Sequence, residues 1–322
     1  MKTLVTGATG FVGSHLAERL RRQGDEVVAL VRSPARARAL RELGVTLVPG
    51  DLGDPAALAQ ALHGVEVVHH VAGLTAARSE AEFHAVNVEG TARLLEAAAR
   101  AGVRRFVLVS SLAAAGPSAR GQRRAGEEPG EPVTAYGRSK AAAEAVVRAG
   151  PIPWTIARPP AVYGPRDVEL LKIFRIARLG VAPVFGEGLQ ELSLVYGPDL
   201  AEALAAMGSA AGAGGRIYYP AHPEIVTSGE LVRAIGASMG RRVRLLPLPR
   251  PVAGGLLQVT GLAARLAGRA TLLNPDKAAE FFQPAWTCEP ALLTSETGWR
   301  AAHDLGQGLA KTLAWYRSER WL

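Results

Sequence analysis

The chain predicts an α/β fold, a doubly wound parallel sheet carrying a smaller, mostly helical C-terminal domain. Three observations point there. A β run over Lys2–Thr6 leads into glycines at 7, 10 and 13, then a helix-like stretch over 14–22. Short β-branched runs go on alternating with helical patterns as far as residue 157, and past residue 165 that regularity gives way to mostly helical patterns. Strict alternation of this kind is the pattern of parallel strands with crossover helices, and ligands bind such sheets at the carboxyl ends of the strands.

Taken in order, Glu26–Val31 reads as the second strand and 34–43 as a helix, followed by a strand over Thr46–Pro49 and a helix over Pro55–Leu62. A fourth strand is expected over 65–71, a long helix over 82–100 and a fifth strand over 105–110. A helix over 135–149 and a sixth strand over Trp154–Ala157 complete the alternation. Then come a helix over 170–179, an extended segment over 192–196, a helix over 198–207 and a strand over 216–219. Thr227 or Ser228 should cap a helix that has Glu230 in its first turn and runs through 231–239. A Pro-rich link over 247–251 and two or three helices follow. The expected division is a dinucleotide-binding domain of 1–165 and 192–222, and a substrate domain of 166–191 and 223–322.

Composition narrows the function classes. With 48% hydrophobic and 20% charged residues, the 322-residue chain is globular rather than disordered. A single cysteine, Cys288, excludes an intrachain disulfide framework and fits a reducing cytoplasm. Met1 runs straight into the first strand, so no leader segment is expected. The apolar run over 251–273 is interrupted by Arg265 and Arg269 and is too short to cross a bilayer. The net charge of +8 comes from arginines scattered over many helices, with no finger or aromatic RNA-binding signature, so no nucleic-acid partner is expected.

The glycine turn carries the first chemistry. Gly7, Gly10 and Gly13 let backbone N–H groups and a helix N-terminus face a pyrophosphate, because no Cβ blocks the approach. Thr9, Phe11 and Val12 complete that turn. The second chemistry is in Ser110-Ser111, at the end of the fifth strand, and Tyr136-Gly-Arg-Ser-Lys140, on a helix. Positions i and i+4 share a helix face, so Tyr136 and Lys140 point together. An ammonium beside a phenol favours the phenolate, while a serine hydroxyl can hold the substrate oxygen as the tyrosine exchanges its proton. His69 and His70 are adjacent on a strand and so face opposite sides; with no Cys or carboxylate at ligand spacing, no metal site is expected.

Thr6–Gly13, Asp51-Leu52, His69-His70-Val-Ala-Gly73, Asn87-Val-Glu-Gly90, Val109-Ser-Ser111, Tyr136–Lys140 and the Arg158–Pro165 segment together resemble the extended short-chain dehydrogenase/reductases. These are the epimerase/dehydratase-type Rossmann proteins, and the resemblance covers nearly the whole chain. It implies Ser111 as the catalytic serine and Tyr136 as the acid/base. Lys140 would bind the nicotinamide ribose and tune the tyrosine, and Asn87 would support a proton-relay water or make a plain core hydrogen bond. It also implies that Asp51 and Leu52 flank the adenine, that Val71, Ala72 and Gly73 wall the cofactor pocket, and that Pro159 adjoins the cofactor. In resembling proteins the helices over 87–100 and 135–149 pair with their symmetry mates, which implies a homodimer; their alanines permit close approach.

Cofactor and substrate readings rest on single positions. An acidic residue at the end of the second strand marks NAD-preferring relatives; here Val31 is followed by Arg32, which can grip a 2′-phosphate. NADP(H) is expected, or NAD if Arg32 only stacks on adenine. Leu112 and Ala113 stand where sugar dehydratases carry an Asp-Glu pair. Ala161 replaces an epimerase asparagine, and Glu191-Leu192 replaces an arginine that holds a sugar diphosphate. These departures point to an oxidoreductase acting on a small or lipophilic carbonyl or alcohol, with the apolar stretch over 252–273 either lining its pocket or forming ordinary core. The alternatives are a nucleotide-sugar 4-epimerase holding NAD and a non-catalytic dinucleotide-binding scaffold.

Overall fold

The computed structural model describes residues 1–128, 130–266, 271 and 275–322. Its first half runs β1 (Lys2–Thr6), α1 (Phe11–Arg22), β2 (Glu26–Val31), α2 (Arg38–Glu42), β3 (Thr46–Pro49), α3 (Pro55–Leu62) and β4 (Val67–His70). It continues through α4 (Glu80–Phe83), α5 (Gly90–Arg100), β5 (Arg105–Val109), α6 (Leu112–Ala115), α7 (Ala135–Arg148) and β6 (Trp154–Ala157). Next are β7 (Ala161–Tyr163), α8 (Val168–Ala177), β8 (Val181–Phe185), β9 (Glu191–Tyr196), α9 (Gly197–Ser209) and β10 (Arg216–Tyr218). The chain ends with β11 (Ile225–Thr227), α10 (Ser228–Ser238), β12 (Arg244–Leu248), α11 (Arg250–Leu266), α12 (Pro275–Phe281), β13 (Ala285–Trp286), α13 (Ala291–Thr297) and α14 (Leu305–Ser318).

Seven strands form one sheet in the order β10-β6-β5-β4-β1-β2-β3, and every ladder is parallel. The chain moves outward from β1 to β3, then returns to β4 on the other side of β1. That reversal opens a crevice beyond the carboxyl ends of β1 and β4. Two apolar clusters fill the sheet's faces: one includes Leu4, Leu94, Phe106 and Ile156, and the other Val5, Leu16, Val107 and Leu204. The smaller, mostly helical C-terminal domain has its own cluster around Phe174, Leu309 and Tyr316. Its α10 starts with a capping box in which Thr227 and Glu230 each bond the other's backbone N–H, as the sequence predicts.

Three local expectations are corrected. The helix expected over 82–100 starts at Glu80 behind the Ser79 cap and is broken by a π-helical turn over His84–Glu89. An extra residue there re-aims Asn87, and such bulges recur at functional sites. The helix expected over 34–43 divides into a 3-10 turn over Pro34–Arg36 and the short α2. The Pro-rich link is partly strand, because β12 pairs only with β8, setting Leu246 opposite Pro183 and Pro247 opposite Val184. A two-stranded ribbon leaves enough backbone unpaired to tolerate both prolines.

One buried ion pair ties the second half of the sheet to its helix. Arg158, just after β6, grips Glu144 of α7 at 2.7 Å, and both side chains are at most 5% exposed. Ser110 donates to the same carboxylate at 2.5 Å, and Arg158 also donates to the Tyr219 hydroxyl at 2.7 Å. A carboxylate so enclosed is well satisfied, and removing it strands a guanidinium in the core. Glu144→Ala should therefore lose about 3–5 kcal/mol of stability, read as a lower urea midpoint than the parent chain's.

Candidate active site

The turn between β1 and α1 is set by close backbone approach. Gly7 has φ +71°, and a Cβ on it would stand 2.7 Å from the Ala72 nitrogen. A Cβ on Gly13 would stand 2.2 Å from the Gly7 carbonyl oxygen. Only glycine fits either position. Gly10 begins α1 without any side-chain cap, so the N–H groups at Phe11, Val12 and Gly13 have no side-chain acceptor. A bare helix N-terminus over a glycine cradle suits an anionic pyrophosphate, so these residues fit a dinucleotide. Thr9 is exposed beside it.

Around the crevice the other predicted residues take their places. Arg32 directly follows β2 and is exposed. Asp51, after β3, accepts the Gly53 N–H at 2.7 Å, and Leu52 lies against Gly90. Val71, Ala72 and Gly73 follow β4, and a Cβ on Gly73 would be 3.1 Å from both Asn87 Oδ1 and Lys140 Nζ. Pro159 is buried and accepts the Leu112 N–H at 2.9 Å. Asn87 accepts from the Leu74 N–H at 2.8 Å and donates to the Leu74 carbonyl at 3.1 Å and to Ser139 Oγ at 2.9 Å. That makes it a clamp between the β4 loop and α7.

Ser111 stands at the start of α6, and Tyr136 and Lys140 lie on α7, which packs against it. Ser111 caps α6, its Oγ accepting from the Ala113 N–H at 3.1 Å, and its hydroxyl is near enough to the Tyr136 phenol to favour the phenolate. Thr134 caps α7 and sets Tyr136 in its first turn. Lys140 is buried and donates to the Val109 carbonyl at 2.9 Å. Burial holds its ammonium down at about 8, with Glu144 pulling the other way. The phenol does not follow the sequence expectation of a lowered pKa. Burial pushes Tyr136 up to about 12; the Ser111 hydroxyl lowers it and Glu280 raises it. Desolvation of the phenolate outweighs the help offered to it, so the phenol is neutral at neutral pH.

A further layer over this site has no local sequence signal. α12 lies on the start of α7: Asp276 accepts the Ala135 N–H at 3.0 Å and Glu280 accepts from Thr134 Oγ1 at 3.1 Å. Lys277 Nζ sits 5.5 Å from the Tyr136 ring centroid and pairs with Glu280. Phe83 of α4 borders the same ring at 6.0 Å between centroids. These contacts join residues some 140 positions apart, which no local pattern foretells.

His70 and His69 face opposite sides of the sheet, as adjacent strand residues do. His70 accepts from Thr6 Oγ1 at 2.7 Å and donates to Thr91 Oγ1 at 2.9 Å, and Thr91 donates to the Asn87 carbonyl at 2.6 Å. Thr91 gives its only hydroxyl proton to Asn87, so it accepts from His70 Nε2 and the neutral ring accepts from Thr6 at Nδ1. That fixes the direction of the relay; Thr6 Oγ1 also accepts the Ala72 N–H at 3.2 Å. Burial drops the His70 imidazole to about 3, so it stays neutral. His69 points to the opposite face, against Gly208 of α9. Two arginines of the second domain are engaged by the chain's own groups. Arg166 binds Ser14 and Glu18 of α1, and Arg175 donates to the Trp321 carbonyl. Arg269 lies outside the described residues. Glu191 accepts the Gly121 N–H at 2.8 Å and lies 3.7 Å from Arg120.

Residues 3–219 match the model of the NAD dependent epimerase/dehydratase family. The chain belongs to that family and is an NAD(P)-dependent enzyme of its epimerase/dehydratase type. Among curated relatives it is 36% identical to a ceramide reductase of Caulobacter vibrioides, over 99% of this chain and 95% of that one. It is 31% identical to a 2-alkyl-3-oxoalkanoate reductase of Stenotrophomonas maltophilia, over 74% and 76%. Among solved structures it resembles MoeE5 in complex with UDP-glucose and NAD, with TM-score 0.80 and 25% identity over 99% of this chain and 100% of that one. Other solved neighbours also carry NAD, which makes NAD the better-supported cofactor.

The lowered Lys140 pKa has a stability consequence. Between about pH 8 and about pH 10.5 an unfolded chain keeps this proton while the folded chain has released it. The unfolded state then binds more protons, so this group's contribution to stability rises with pH across that window. Lys140→Met, which cannot titrate, should lack that rise. Urea midpoints of the two proteins at either end of the window should diverge accordingly.

Proposed function

We propose that this enzyme is a reductase of a lipophilic carbonyl compound, with Ser111, Tyr136 and Lys140 as its catalytic set. The observation that carries the reading is the half-buried Tyr136 phenol in the first turn of α7, close to Ser111 and kept protonated by its surroundings, because a reduction needs a proton donor at the substrate oxygen. When bound, the reduced nicotinamide supplies the hydride that reaches the carbonyl carbon. Ser111 Oγ donates to the carbonyl oxygen and orients it. Tyr136 gives that oxygen its proton, and the product is an alcohol. Lys140 spends one N–H on Val109 and has donors left for a ribose hydroxyl. Asn87 acts through the β4 loop and Ser139 as a positioning residue.

For the cofactor, Gly7, Thr9, Gly10, Phe11, Val12 and Gly13 would enclose the pyrophosphate. Asp51 and Leu52 would flank the adenine, with Val71, Ala72, Gly73 and Pro159 along the nicotinamide half. NAD has the support of the solved neighbours. The finer proposal, NADP(H), rests on Arg32 alone, which stands unpaired among the described residues where a 2′-phosphate would come. We also propose the domain division 1–165 with 192–222 against 166–191 with 223–322, and a two-fold dimer through α5 and α7.

The substrate class draws support from the site's own charges and from the sequence relatives. Arg166 and Arg175 are engaged by Glu18 and the Trp321 carbonyl, Glu191 occupies the clamp position, and two of the curated relatives are named as a ceramide reductase and a 2-alkyl-3-oxoalkanoate reductase. A nucleotide-sugar 4-epimerase holding NAD is the second reading, favoured by the solved neighbour with UDP-glucose and NAD. The two separate in one assay. With a long-chain 3-oxoacyl compound the protein should consume reduced cofactor, and Tyr136→Phe should lose about 100-fold or more in kcat while still binding cofactor. Full activity in Tyr136→Phe would remove the assigned donor, and micromolar binding of UDP-glucose would put the epimerase reading first.

Arg32 is tested separately by titration with both reduced cofactors. Arg32→Ala should weaken NADPH by about 1.5–3 kcal/mol, the range for hydrogen bonds to a charged group, and leave NADH unchanged. Equal NADPH affinity in parent and variant would return the cofactor to NAD.

A further inference from the structure

We propose that the outer face of α11, with the β8–β12 ribbon leading into it, docks on an anionic lipid bilayer surface. Val252, Leu256, Val259 and Leu262 recur at i, i+4, i+7 and i+10 and form one stripe along the helix. Their side chains are 57%, 51%, 66% and 60% exposed, whereas Ala253 and Leu257 on the inner side are buried. Among the described residues twelve large apolar side chains are exposed, and ten of them lie in 168–189 or 246–262. The ribbon adds to the patch. Arg244 pairs in register with Val181 and Leu246 with Pro183, and all four are exposed.

Charge selects the partner. From residue 231 to 275 the sequence has seven arginines, no lysine, and no aspartate or glutamate. Elsewhere arginines meet carboxylates, as in Arg22 with Glu18, Arg38 with Glu42 and Arg100 with Glu96. Arg241, Arg242 and Arg244 are exposed and make no ion pair among the described residues. A second copy set stripe to stripe would bring these like charges together, whereas anionic headgroups would neutralise them. α11 spans about 25 Å at 1.5 Å per residue, a length suited to lying in the headgroup plane. No helix among the described residues is long and apolar enough to cross a membrane.

The placement bears on the site, because α11 packs against α12 and α12 carries Lys277 over Tyr136. Docking would hold that cleft at the bilayer. Binding to vesicles does not depend on the reductase reading, so the two fail separately. The full-length protein is floated with vesicles of phosphatidylcholine alone and of phosphatidylcholine mixed with phosphatidylglycerol. The parent chain should bind the mixed vesicles, bind pure phosphatidylcholine far less, and release as salt rises. Leu256→Glu with Val259→Glu should reduce binding about tenfold or more, with unchanged circular dichroism and unchanged cofactor affinity. Absence of binding by the parent, or equal binding by the variant, would overturn the proposal. A light-scattering mass that falls in the variant would overturn it too, by assigning the stripe to self-association.

Discussion

The backbone crossing at Gly7, Gly13 and Ala72 is the constraint on which the rest of the structure depends. With a Cβ on Gly13 only 2.2 Å from the Gly7 oxygen, α1 must begin where it does, directly over the end of β1. With a Cβ on Gly7 only 2.7 Å from the Ala72 nitrogen, the loop after β4 must pass against the same turn. These two contacts close the switch point of the sheet on both sides. They also leave the first N–H groups of α1 uncapped at its mouth. The geometry that admits no side chain is what leaves room for a phosphate.

From that crossing a hydrogen-bond relay carries position into the candidate catalytic set. Ala72, Thr6, His70, Thr91 and Asn87 form an unbroken buried sequence, and Asn87 then reaches Ser139, one residue before Lys140. The relay needs a neutral imidazole with one donor and one acceptor, and burial supplies it by driving the His70 pKa to about 3. A protonated His70 would have no acceptor left for Thr6. Below α7, the Arg158–Glu144 pair fixes the same helix from the other side. The helix bearing Tyr136 and Lys140 is therefore held at both its surfaces by buried polar groups.

Much of this was legible in the sequence, for physical reasons. The glycine turn, the alternation of strands and helices and a cap at Thr227 or Ser228 are written in local signals: missing side chains, β-branched runs and capping residues. Tyr136 and Lys140 are legible because helix periodicity places them. The π turn at Asn87 was not, since its extra residue alters no local pattern. The end of β12 read as part of a Pro-rich link because proline argues against strand in any position but an edge. The raised Tyr136 pKa was missed because motif spacing says what stands near a phenol, not how much water is left around it. α12 supplies much of that enclosure, from 140 residues away.

The distribution of charge explains why one fold supports two substrate readings. Likeness to UDP-sugar proteins at 25% identity reflects the shared sheet and dinucleotide turn, which are indifferent to what binds beside them. Substrate choice lies in side chains rather than in the shared fold, and several of the chain's arginines are engaged by its own groups. Arg166 is held by Glu18, Arg175 by a backbone carbonyl and Arg120 by Glu191 and the Leu189 carbonyl. The unpaired arginines instead stand on the β12 face, outside the cleft and next to exposed leucines and valines. A diphosphate needs desolvated cations converging on one point, whereas an apolar chain needs them kept away.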